Sequence, residues 1–107
     1  MDENCVFCKI VTGKLPADKK YEDEEMLVFP DVHPSAPVHL LIVSKVHGEE
    51  FHTVDASKLS RMLSKVREMI GELNFPYRVA MNGAGATVVH DHLHIHLLGR
   101  VKHDRPV

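Results

Sequence analysis

A chain of 107 residues, 44% of them hydrophobic, accommodates one globular domain over residues 1–107 and leaves little room for a second. Lys and Arg number 13 against 15 Asp and Glu, for a formal charge of −2 with His neutral, and no basic stripe of the kind a nucleic-acid polymer requires is present. No stretch approaches the roughly 20 apolar residues that span a bilayer, and the start Met1-Asp2-Glu3-Asn4 has neither a basic nor an apolar leader. The expectation is a soluble, cytoplasmic protein with no membrane partner.

Only Cys5 and Cys8 are present, too few for a secreted disulfide scaffold. Their Cys-x-x-Cys spacing fits a redox pair, half of a zinc site or two packed thiols. Val6 to Val11 reads as a brief helix closed by Thr12-Gly13-Lys14-Leu15-Pro16. Met26 to Phe29 and Val38 to Val43 are apolar runs too short for independent helices, and the three prolines of Pro30-Asp31-Val32-His33-Pro34-Ser35-Ala36-Pro37 separate them. Two strands around a proline-rich loop are expected. Leu59, Met62, Leu63, Val66, Met69, Ile70 and Leu73 lie on one helical face. Asp55 or Ser57 caps the start of this long helix, and Asn74 with Pro76 marks its end. Its charged residues Lys58, Arg61, Lys65, Arg67, Glu68 and Glu72 are expected on the solvated face. Arg78 to Met81 and Leu93 to Leu98 supply two further strands, linked by Asn82-Gly83-Ala84-Gly85-Ala86. The fold class is α+β with a mostly antiparallel sheet.

The segment Val89-His90-Asp91-His92-Leu93-His94-Ile95-His96-Leu97-Leu98-Gly99 carries four histidines at alternate positions. Alternate residues of a strand share a face, so Leu93, Ile95 and Leu97 can pack inward while the imidazoles line the other side, anchored roughly 7 Å apart. Imidazole is nucleophilic when neutral, and a phosphorylated imidazole is labile enough to hydrolyse. A row of such rings therefore suits chemistry at a phosphate.

His92-Leu93-His94-Ile95-His96-Leu97-Leu98 resembles the histidine triad pattern, in which three histidines alternate with hydrophobic residues. Cys5 to Ala17, Phe29-Pro30-Asp31-Val32, Pro37 to Val43 and Lys45-Val46-His47 are similar to the family's N-terminal segment, central strands and loop. The resemblance implies a histidine triad fold with a five-stranded sheet, one long helix and one short helix, usually as a homodimer. It also implies hydrolysis or transfer at the α-phosphate of a nucleotide, and Leu98-Gly99-Arg100 with its short tail is most similar to the nucleoside phosphoramidase branch. The expected substrate is a purine nucleoside phosphoramidate, with no organic cofactor. Two other readings are a dinucleoside polyphosphate hydrolase or nucleotidyl transferase, and a non-catalytic nucleotide- or zinc-binding regulatory module.

A triad starting at His90 would put the charged Asp91 where the pattern wants an aliphatic residue, so the triad is read as His92, His94 and His96 with His94 the nucleophile. His96, Asn82 and the backbone N–H groups of the glycine-containing loop are the expected donors to the phosphate oxygens. His96 or His39 would carry a proton to a leaving amine. His39, by itself an ordinary core histidine, is by resemblance the residue that orients a triad ring. Asp31, by itself a turn former, is by resemblance the acceptor for the ribose hydroxyls. Phe7, Ile10, Phe29, Val32 and Leu41, each unremarkable as core, would form the base pocket. The family's Gln or Ser ahead of the triad is absent, and Thr87 is the nearest hydroxyl for a phosphate contact. Some bacterial members hold structural zinc in a manner that maps to Cys5, Cys8, His47 and His92, with His90 an alternative fourth ligand. His33, His52 and His103 are expected in solvent.

Overall fold

The computed structural model describes residues 4–86 and 91–102. The expectations placed on Thr87, His90 and His103 lie outside the described residues. Helix α1 (Val6–Val11) is capped by the Cys5 Sγ, which accepts from the Cys8 N–H at 3.4 Å, and it stops where Gly13 turns at φ 82°. The two-residue β1 (Tyr21–Glu22) follows, then β2 (Met26–Pro30), β3 (Val38–Ser44), α2 (Ala56–Glu72), β4 (Tyr77–Ala80) and β5 (His94–Gly99). Among these, β1 has no apolar run to announce it. Its strand character comes from pairing Tyr21 with Val28 and Glu22 with Leu27.

The five strands form one antiparallel sheet in the order β1-β2-β3-β5-β4. Side-chain alternation divides its two faces cleanly. Met26, Val28, Ile42, Leu93, Ile95 and Leu97 pack with Met62 and Val66 of α2 on one face. Leu27, Phe29, Leu41 and Val43 pack with Cys5, Phe7, Cys8 and Ile10 of the α1 segment on the other. Because both faces of β2 are covered, Met26–Phe29 is apolar throughout and buried throughout. β5 alternates instead, since its second face carries imidazoles.

Asp55 caps α2, accepting from the Lys58 N–H at 3.2 Å, and the helix ends at Leu73 through a bond from the Leu73 N–H to the Ile70 carbonyl. The apolar stripe lands as expected, with Met62 and Val66 at its centre. Lys58 departs furthest from the expectation of a solvated charged face: it is buried, 7% exposed, because it lies one turn from Met62 on the inward side and finds polar partners beneath the helix. Arg61 faces outward, paired with Glu25, whereas the Lys65 side chain is largely covered, 16% exposed with its ammonium over the Tyr21 ring. No helix among the described residues is long and apolar enough to cross a membrane.

Gly99 closes β5 opposite Val38 and Tyr77, and a Cβ there would sit 2.4 Å from the Phe75 ring and 3.0 Å from the Val38 Cβ. Gly99→Ala is therefore expected to cost about 1–3 kcal/mol in urea unfolding through overpacking. Adding Phe75→Leu should restore part of that loss, and a Gly99→Ala protein of unchanged stability would refute the packing account.

Candidate active site

The antiparallel register of β3 and β5 sets His39 opposite Leu98, Leu41 opposite His96 and Val43 opposite His94. His94 and His96 project to the α1 face, as does His39. Asp91 takes the left-handed conformation, φ 54°, and β5 begins at His94. His92 itself precedes β5, yet its segment stays joined to β3 because the Ser44 N–H donates to the Leu93 carbonyl at 3.0 Å. His92, His94 and His39 are buried, at 2%, 4% and 7% exposure.

Backbone groups determine which nitrogen of each ring carries the proton. A carbonyl can only accept, so His94 Nδ1–H donates to the His92 carbonyl at 2.8 Å, and the Nε2 of the neutral ring holds the lone pair. The Ser35 N–H donates to His39 Nδ1 at 2.9 Å, which makes the His39 Nε2 the protonated atom. That Nε2–H donates in turn to His96 Nδ1 at 2.9 Å, with Asp31 Oδ2 a further 3.5 Å partner. A neutral His96 therefore presents its own Nε2–H as a donor. The sequence therefore ends in one imidazole with a nucleophilic nitrogen beside another with a donating N–H, their centroids 5.0 Å apart. Burial keeps all of these rings in the neutral form. It lowers the His94, His92 and His39 pKa values, and it lowers that of His96 to about 4 with added repulsion from His94 and His39.

His94 and His96 form the floor of a cavity of about 590 Å³, within the roughly 300–1,000 Å³ of small-ligand sites. Its apolar wall includes Phe7, Ile10, Phe29 and Leu41, and Asp31 stands at its mouth with Val32, which is 85% exposed. Phe7 packs edge-on against the His94 ring at 4.8 Å between centroids. Asp31 also forms the turn its residue type suggests, its Oδ1 accepting from the His33 N–H at 2.8 Å. Asn82 is exposed and does not line this cavity. Val6, Pro16, Ala17, Asp18 and His33 do line it without having been marked by the sequence. Their signal was weak, since they come from loops and helix edges that only the tertiary fold brings to the cavity.

Beside the cavity, Cys5, Cys8, His47 and His92 place their ligand atoms within 4.8 Å of one another. Both cysteines are thiols. The Cys5 Sγ lies 3.2 Å and the Cys8 Sγ 3.5 Å from His92 Nδ1, and the Cys8 Sγ lies 3.3 Å from His47 Nδ1. The His92 Nε2–H donates to the Ser44 carbonyl at 2.6 Å, which aims the unprotonated Nδ1 at the two sulfurs. Two thiols and two imidazoles are a zinc donor set, and the sulfur–nitrogen separations approach the roughly 3.5 Å edge of a tetrahedron with ordinary Zn–S and Zn–N bonds. These residues fit the metal. Asp31, His39 and His96 also converge, but the Ser35 N–H occupies His39 Nδ1 and its Nε2 bears a proton, so this second group is a hydrogen-bond chain.

Comparison with known proteins identifies the family. A family profile described as scavenger mRNA decapping enzyme C-terminal binding matches residues 4–105. Protein HitA of Neisseria gonorrhoeae is 39% identical over 105 residues, covering 91% of this chain and 96% of its own. The chain belongs to the histidine triad family. An adenosine 5′-monophosphoramidase of Candida albicans is 36% identical, over 89% of this chain and 69% of its own length. Among solved structures, a histidine triad family hydrolase from Clostridium thermocellum superposes with a TM-score of 0.85 at 35% identity, covering 100% of this chain and 99% of that one. A hydrolase of the same family from Legionella pneumophila gives a TM-score of 0.80 at 36% identity, covering 96% and 98%. The α+β histidine triad fold expected from the sequence is thus the fold observed.

The neutral, buried imidazoles make stability depend on pH in a definite direction. An unfolded His96 takes up its proton near pH 6.5 and the folded one only near pH 4, so between these values the unfolded chain binds more protons. Stability is full above that window and falls as pH drops through it, by about 2 kcal/mol between pH 7 and pH 5 for this ring. Urea unfolding of chelator-treated protein should show the loss, and His96→Asn should reduce it. A slope of zero across the window in wild type would contradict the burial of neutral rings.

Proposed function

We propose that this chain is a hydrolase of small nucleotides, acting at the α-phosphate of nucleoside 5′-phosphoramidates, purine ones foremost, through a nucleotidylated His94. The observation that carries the reading is the His94 ring itself. Its Nδ1–H is tied to the His92 carbonyl, and it stands in the wall of a cavity large enough for a nucleoside monophosphate. The similarity to an adenosine 5′-monophosphoramidase over most of the chain supports the substrate class, and the similarity to histidine triad hydrolases supports the reaction type.

In this reading the base enters between Phe7, Ile10, Phe29 and Leu41, with Val32 at the rim, and the ribose hydroxyls donate to Asp31. The Nε2 of His94 attacks phosphorus and a P–N bond forms to the ring, while the bond to the leaving nitrogen breaks with its electron pair as that nitrogen takes up a proton from water and departs as the amine. Water then displaces the nucleotide from the imidazole. The His96 Nε2–H, oriented through His39 and the Ser35 N–H, donates to the charge growing on the phosphoryl oxygens. His39 is thus a positioning residue, and Thr87 is the hydroxyl assigned to a further phosphate contact. His92 serves two neighbours at once, its carbonyl holding His94 and its Nδ1 facing the thiols.

Structural zinc held by Cys5, Cys8, His47 and His92 would tie the α1 segment to the catalytic strand. When bound it supplies cross-linking rather than chemistry. Its ligands would hold the Phe7 wall against β5, and a homodimer in the cytoplasm is the assembly and location we assign.

Incubation with an adenosine phosphoramidate, followed by rapid acid-free quenching and mass spectrometry, should reveal an adenylyl adduct on His94. His94→Gly should lose the adduct and reduce kcat/KM by on the order of 10⁴-fold or more. An adduct on His92, or turnover surviving in His94→Gly, would defeat the assignment, and binding without any turnover by wild type would favour a regulatory module. Separately, protein isolated without chelator should carry about one zinc per chain. Its removal should lower Tm by about 10 °C or more, whereas the Cys8→Ser protein should neither hold zinc nor respond to chelator.

A further inference from the structure

Lys58 is the one charged side chain of α2 that is buried, and the reaction does not use it. Its Nζ donates to Ser44 Oγ at 2.8 Å and to Glu49 Oε1 at 2.6 Å. Ser44, fully buried, donates its own hydroxyl proton to the same Glu49 oxygen at 2.9 Å and accepts from the Val46 N–H at 3.1 Å. A position one turn from Met62 on the core face of a helix would ordinarily hold an aliphatic residue. Burying an ammonium there costs several kcal/mol that its ion pair with Glu49 does not clearly recover. Stability alone is a poor reason for the residue.

What the cluster grips is more telling. Ser44 and Glu49 are the two ends of the segment that carries His47, and Lys58 bonds both ends from one ammonium. The Ser44 carbonyl is also the group that accepts from His92 Nε2–H and so turns His92 Nδ1 toward the thiols. We infer that Lys58 is a positioning residue for the Cys5, Cys8, His47 and His92 cluster, clamping through Ser44 and Glu49 the segment that aims both of its imidazoles at a zinc ion. The inference rests on the zinc reading above and extends it from the four ligands to the helix behind them. Such outer partners of ligating histidines commonly change metal affinity by about 10–100-fold when removed.

The test is zinc affinity by chelator competition on the full chain, with the visible spectrum of the cobalt-loaded protein as a second readout of ligand geometry. Lys58→Met should weaken zinc binding by roughly 10–100-fold and shift the cobalt thiolate bands. Met62→Ala, which opens a cavity on the same helix without touching the polar cluster, should lower Tm while keeping wild-type zinc affinity. Where Lys58→Met does not fold because Glu49 is left without its ion pair, Ser44→Ala decides, since it removes the hydroxyl and keeps the carbonyl. Wild-type affinity and cobalt spectrum in the folded Lys58 or Ser44 variant overturn the inference while leaving the zinc reading intact. A wild-type chain that binds no zinc overturns both.

Discussion

The pairing of β3 with β5 places the Ser44 carbonyl against the His92 ring and the His39 ring against that of His96. The proton positions on His92 and His96 depend on that juxtaposition. A histidine has two nitrogens whose roles exchange with a single proton, and in water the two tautomers interconvert without penalty. Here carbonyls from His92 and Ser44 and the N–H of Ser35 each bind one nitrogen of a ring and leave the other with a defined role. The result is three imidazoles in three states: His94 with its lone pair at Nε2, His96 with a proton at Nε2, and His92 with Nδ1 facing sulfur. A slip of the register by one residue would send the imidazoles to the α2 face and dissolve all three.

Burial reinforces what the hydrogen bonds arrange. The rings sit where a positive charge is poorly solvated, and His96 is further discouraged from protonating by His94 and His39 beside it. The same burial that makes these rings good nucleophiles and donors at neutral pH also makes them a liability in acid, because the unfolded chain competes for protons that the folded one refuses. Function and stability are thus joined through one desolvated strand face. The apolar wall contributed by Phe7 and Phe29 is part of this arrangement, Phe7 packing edge-on against the His92 and His94 rings and both shaping the cavity.

The two faces of the sheet divide the labour. On one side, α2 lays Met62 and Val66 over the strands and supplies ordinary core. On the other, the six residues of α1, Cys8 among them and Cys5 just before, cover the strand that carries His94 and His96, where a short helix has little stability of its own. Cross-links at that point therefore matter more than their number implies. The Lys58 cluster lies at the end of the central strand β3, its ammonium beneath α2 and bonded to Ser44 and Glu49 on either side of His47.

Much of this was legible in the residues. Alternation of His with Leu and Ile declared both the strand and its two faces, Asp91 marked where the register must begin, and the spacing of Met62, Val66 and Met69 declared the long helix. These signals are local, because strand and helix periodicities are properties of the backbone itself. β1 was not legible, since two residues become a strand only by pairing with β2. Nor was the burial of Lys58, because a lysine on an amphipathic helix is ordinarily solvated and only the position of Ser44 and Glu49 beneath it makes the inward turn tolerable. The sequence by itself determined which residue types the chemistry has at its disposal and which face of β5 they occupy. Tertiary structure decided which ring nitrogen of His39, His96 and His92 carries its proton, because those partners trace to Ser35 and Ser44, far from the triad along the chain and adjacent to it only across the sheet, whereas the His94 proton is set locally by the His92 carbonyl.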